Sequence, residues 1–167
     1  RRQRQMCIRD SLKALNAKLI VFTLPPAWSD ILPYPSIPSD IKQRLESLGI
    51  KIMEGASPAI ECGPETMECQ VSYTDRRTVS TYAIWELLHG IGGQGFPTAV
   101  EAVFTAVKER EVPGGAEVIG VGGTGYGADT AIVMKATPYE QMLSGPIENR
   151  FDILEILAVP KRKRRYW

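Results

Sequence analysis

The stretch that most constrains the fold is residues 116–136, AEVIGVGGTGYGADTAIVMKA. Two apolar, β-branched runs, 116–122 and 130–136, flank a turn at 123–127 too rich in glycine to continue either run. The spacing predicts two strands joined by a tight turn. Gly120, Gly122 and Gly125 also satisfy G-x-G-x-x-G behind a strand. A dinucleotide fingerprint needs a helix next, whose N-terminal N–H groups meet the pyrophosphate, and an acid about 20 residues on. The next segment here is strand-like and no such acid follows, so a Rossmann site is not supported. Two readings stay open. Glycines can expose successive N–H groups as an anion-binding nest, with Thr124 and Thr130 adding hydroxyls and Lys135 adding charge if its strand brings it near. The same glycines equally make a plain hairpin turn.

The rest of the chain reads as alternating strands and helices. Residues 17–24, AKLIVFTL, form a short apolar strand stopped by Pro25-Pro26. A proline-rich loop with Trp28 and Tyr34 leads to a helix from Pro38, with Ile41, Leu45 and Leu48 on one face and Gly49 at its C-cap. Residues 50–53 give a second strand, completing a βαβ unit. Residues 55–74 are ambiguous, a short helix or an irregular segment. A helix is expected over 78–88, with Tyr82, Trp85 and Leu88 inward, then a tight loop over 90–95. The best helix is 97–110, where Val100, Val103, Phe104 and Val107 make one apolar stripe. Residues 136–150 read as a polar connection and 151–159 as a last strand.

Residues 1–10, RRQRQMCIRD, match the translation of a transposase-type sequencing adapter and are not expected to contribute to the fold. The expected organisation is an adapter-derived segment at 1–11, one α/β domain at 12–160 and a basic tail at 161–167. Without residues 1–10, Lys+Arg falls from 20 to 16 and Asp+Glu from 19 to 18, so the formal charge moves from +1 to −2. The basic front then disappears, and with it the electrostatic case for a nucleic-acid partner. The tail KRKRRYW reads as a solvated like-charge block. No apolar run is long enough for a membrane span. The remaining cysteines, Cys62 and Cys69, make neither a disulfide framework nor a zinc site, and fit a reducing cytoplasm.

Other chemistry is sparse. There is no G-x-x-x-x-G-K-[ST] and no G-x-S-x-G. His89, the one histidine, reads either as a general base or as a packed residue closing a helix. Glu61, Glu65 and Glu68 have helical spacing for a metal face, but an exposed helix face explains them more simply. Trp28 reads either as a stacking platform or as a core aromatic.

The run from Val118 resembles the V-x-x-V-G-G-x-x-x-G-A-D-T-A pattern of stand-alone archaeal and bacterial proteins built like the C-terminal α/β domain of pyruvate kinase. Gly93-Gln94-Gly95 followed by Ala99-Val100-Glu101 resembles their G-Q/H-G…V-E segment. The strand–loop–helix–strand over 19–52 and the closing Glu155–Pro160 are similar as well. The resemblance implies a three-layer α/β/α sandwich with a mostly parallel sheet. It implies no kinase activity, because the catalytic barrel has no counterpart in this sequence. It implies a non-catalytic module that binds a phosphorylated small molecule, with flavin mononucleotide (FMN) as the cofactor associated with these relatives. Gly122, Gly123, Thr124, Gly125, Gly127 and Thr130 would take the phosphate, and Tyr126 and Trp28 would cover a flavin ring. It leaves two alternatives, a flavin-dependent oxidoreductase using Cys62, Cys69 or His89, and a ligand-free oligomerisation domain. Relatives carry a further α–β unit ahead of the first strand. A sheet lacking it would leave backbone groups unpaired at roughly 1–3 kcal/mol each, so a poorly soluble or molten chain is expected.

Overall fold

The computed structural model describes residues 17–23, 37–54, 70–72, 78–123, 127–142 and 146–162. The fold is mixed α/β and divides into two units, residues 1–55 and 56–167.

In the first unit, β1 (Ile20–Thr23) and β2 (Lys51–Glu54) pair in parallel, Val21 opposite Ile52, with helix α1 (Ser39–Ser47) between them in sequence. The expected βαβ unit is therefore present. Pro38 stands immediately ahead of α1, and the helix ends in a Schellman motif. Gly49 takes φ +76°, its N–H bonds Glu46 O, and Ile50 N–H bonds Leu45 O. The expected apolar face of α1 is only partly covered: Leu45 is half-buried while Ile41 and Leu48 are exposed.

In the second unit, β3 (Gln70–Ser72) and β4 (Thr78–Ser80) form a short antiparallel pair. Helices α2 (Thr81–Gly92) and α3 (Gly95–Lys108) follow, then β5 (Glu117–Gly122), β6 (Thr130–Lys135) and β7 (Asp152–Ala158). The helix expected from Thr78 thus begins three residues later, after a strand. The glycines expected to form a loop over 90–95 are largely helical. Gly90 and Gly92 complete α2, where a side chain at Gly92 would collide with the Phe96 ring. The turn narrows to Gly93, at φ +75°, and Gln94.

The three-stranded sheet has the order β5-β6-β7 and is antiparallel throughout. Among the described strands only β1 and β2 pair in parallel, so a mostly parallel sheet is not what these pairings form. The difference has a physical origin. A continuous apolar run signals burial, not strand direction, whereas a short glycine turn can only connect antiparallel neighbours.

The core lies between this sheet and α3. Alternate residues of β6, Thr130, Ile132 and Met134, are buried, and Ile132 and Met134 share one cluster with Phe96, Val100, Val103 and Phe104 of α3. The stripe read from the sequence is the buried face, with Val107 at its margin. Phe104 anchors it, edge-on to Tyr139 at 5.7 Å and tilted against Phe151 at 5.8 Å. Trp85 and Leu88 pack inward from α2 as expected.

Candidate functional site

The glycine-rich turn joins β5 to β6 as a hairpin. Gly122 stands opposite Thr130, and Asp129 N–H donates to Gly122 O at 3.0 Å. Chain leaves the turn into a strand and not a helix, so the geometry of a dinucleotide fingerprint is not formed. The two stems converge closely enough that a side chain at Gly123 would strike Gly127 O.

Four of the eight candidate ligand residues are described: Gly122, Gly123, Gly127 and Thr130. Thr124, Gly125, Tyr126 and Trp28 lie outside the described residues, as do Cys62, Cys69, Glu61, Glu65 and Glu68. Gly122 and Thr130 gather where the first turn of α3 lies across the end of the hairpin. A Cβ on Gly122 would meet Gly95 O and come 2.6 Å from Ala99 N; one on Gly120 would come 2.8 Å from Ala99 O. Two glycines of G-x-G-x-x-G are thus required by a helix crossing β5 backbone to backbone. Spacing alone does not reveal this, because it does not show which helix crosses the strand.

The charge at this position comes from Asp129, which lies outside the glycine motif. A side chain on Gly95, the first residue of α3, would collide with Asp129 Oδ1. A carboxylate therefore sits against a helix N-terminus, where the dipole favours it. Thr130 Oγ1 donates to the same carboxylate at 2.8 Å. The buried threonine hydroxyl has its partner within the hairpin, and Asp129 already supplies negative charge to the helix end. The sequence shows an Asp directly after the turn, one residue before the strand, but not the helix end it meets.

Lys135 is not part of this arrangement. It closes β6, five residues from Thr130, or roughly 17 Å along an extended strand. There it borders a shallow cavity of about 260 Å³ lined by Gly114, Gly115, Ala136, Pro138, Gln141 and Asn149. The cavity is at the opposite end of the hairpin from the turn. His89 lies in the last turn of α2, its Nε2 2.8 Å from Gln94 Oε1 and its Nδ1 3.9 Å from Glu86. It ties α2 to the turn before α3, which fits the packed-residue reading. Among the described residues, no group of three or more His, Cys, Asp or Glu side chains is placed to hold a metal ion. Among them also, no helix is long and apolar enough to cross a membrane.

No protein-family model matches the chain, and no curated protein matches it.

Proposed function

We propose that the chain is a non-catalytic module that binds a phosphorylated small molecule on the β5–β6 turn, with FMN the first ligand to try. The observation that carries this reading is the seating of the hairpin stems beside the turn, Gly122 on one side and Asp129-Thr130 on the other, against the N-terminal end of α3, a 14-residue helix. Glycine backbone amides and the positive end of a helix are the two elements that favour an oxyanion. Gly122, Gly123, Thr124, Gly125, Gly127 and Thr130 would hold the phosphate, and Tyr126 and Trp28 would cover the ring. The finer fold description, a three-layer α/β/α sandwich, belongs to the same proposal. It is supported by the parallel β1–α1–β2 unit and by the helix packed on the β5–β6–β7 sheet.

Asp129 opposes this reading as the chain stands, since its carboxylate shares the helix end with any incoming phosphate. That makes it the informative position. FMN fluorescence should be quenched saturably by the wild-type chain, and Asp129→Asn should tighten binding by roughly tenfold, the effect of removing one nearby like charge. No quenching by either protein at high micromolar FMN would remove the proposal.

A ligand-free oligomerisation domain is the second reading. It is favoured by the packing of Gly120 and Gly122, which needs no ligand to explain it, and by the exposed apolar side chains of β7.

A further inference from the structure

The end of the β5–β6 hairpin away from the glycine turn carries the cavity of about 260 Å³. Its walls are fixed by the backbone. Gly115 N–H donates to Ala136 O at 2.8 Å and Ala136 N–H to Ala116 O at 2.7 Å, closing the base of the hairpin. Two single 3₁₀ turns, Tyr139–Gln141 and Ile147–Asn149, follow Pro138 and Pro146 and bring Gln141 and Asn149 to the cavity. Phe151 N–H donates to Met142 O, which ties the second turn to the first. The buried Thr137 hydroxyl lies 3.3 Å from Lys135 O and 3.4 Å from Arg150 O, so the end of β6 is tied to the second turn as well. Walls braced in this way need little ordering when a ligand enters.

The lining is polar and carries one cation. Lys135 is half-buried, yet among the described residues its ammonium has no ion pair. Among the same residues no hydrogen bond engages the Gln141 carboxamide, the Asn149 carboxamide or the Gly114 N–H. The turn at Gly114 and Gly115 is closed instead by Ala116 N–H donating to Pro113 O. One cation, two carboxamides and a backbone N–H, with no carboxylate in the lining, suit an oxyanion. A single charge suits it best, since Lys135 offsets one and Glu140 and Glu148 adjoin Gln141 and Asn149 in the chain. The volume falls below the roughly 300–1,000 Å³ of most small-molecule sites, so the ligand is short. We propose that this cavity binds a short-chain monocarboxylate, with Lys135 countering the charge and Gln141, Asn149 and Gly114 donating to its oxygens. The site is separate from the β5–β6 turn, and neither depends on the other.

The test is a titration of the isotope-labelled full chain with sodium acetate, ionic strength held constant with sodium chloride. In nuclear magnetic resonance spectra, the Gly114 amide and the side-chain amides of Gln141 and Asn149 should shift together and saturate, with Kd of about 1–10 mM. Sodium sulfate, a dianion, should bind at least about tenfold more weakly at the same residues. Lys135→Gln should weaken acetate binding by roughly tenfold or more, the loss of one charge-assisted contact. Lys161→Gln, at an exposed lysine beyond β7, should leave it unchanged. Asn149→Asp supplies a readout that does not depend on Lys135→Gln folding. Asn149 is exposed on its turn, and a carboxylate there should abolish acetate binding with the amide dispersion retained. Shifts that stay linear to about 100 mM acetate, sulfate binding as tight as acetate, or acetate binding unmoved by Lys135→Gln or by Asn149→Asp would each overturn the proposal.

Discussion

Gly122 of β5 lies against Gly95 of α3 so closely that a single Cβ on Gly122 would collide with the Gly95 carbonyl oxygen. The contact is backbone on backbone, with no flexible side chain to give way. Gly122→Ala should therefore destabilise the second unit by about 1–3 kcal/mol, the usual range for overpacking. Gly114 is the control. A Cβ there meets only Pro138, at 3.7 Å, so Gly114→Ala should stay within about 0.5 kcal/mol of wild type. Urea unfolding of the two variants side by side checks the contrast.

Phe104 is 1% exposed and touches both Tyr139 and Phe151 across the end of the sheet. Phe104→Ala should cost about 3–5 kcal/mol, a large share of the stability of a small domain. Loss of the near-UV circular dichroism band with retained far-UV signal is the expected form of the damage. Phe104→Leu, which keeps most of the volume, should restore the band.

Two helices end in the same way with different residues. α1 places Gly49 at the left-handed position, φ +76°, while α3 places Arg110 there, φ 58°. At α3, Arg110 N–H bonds Val107 O at 3.0 Å and Glu111 N–H bonds Ala106 O at 2.9 Å. Substitutions should thus act in opposite senses. Arg110→Gly should stabilise, because it removes a left-handed penalty of about 1 kcal/mol, and Gly49→Ala should destabilise by a similar amount. Opposite shifts of the thermal midpoint, measured in the same buffer, are the check.

Thr105 is buried in α3 with its hydroxyl donating back to Glu101 O at 2.9 Å. That carbonyl belongs to the helix ladder as well, so removing the hydroxyl strands no buried acceptor. Thr105→Val should be neutral or stabilising by up to about 1 kcal/mol in chemical denaturation.

What the sequence shows of this fold follows from what periodicity can encode. The stripe from Val100 to Val107 specifies both that α3 is a helix and which side it buries. Gly49 marks the end of α1, since few other residues accept its φ. The β5 and β6 runs declare themselves by β-branching around a glycine turn. Strand direction escapes, because Ile20–Thr23 and Thr130–Lys135 read alike although one pairs in parallel and the other does not. Gly90 and Gly92 mislead for a related reason. Their low helix propensity is overridden where the Phe96 ring needs room beside Gly92. The turn itself is legible as a turn. The role of Asp129 at the α3 terminus is not, since it depends on two segments separated by more than thirty residues.

Among the described residues, the buried cluster around Phe104 and the side chains packed against it run from Ile84 to Ile153. Contacts within such a stretch carry a modest loop-closure cost. On the ribosome, these contacts become available once β7 clears the exit tunnel.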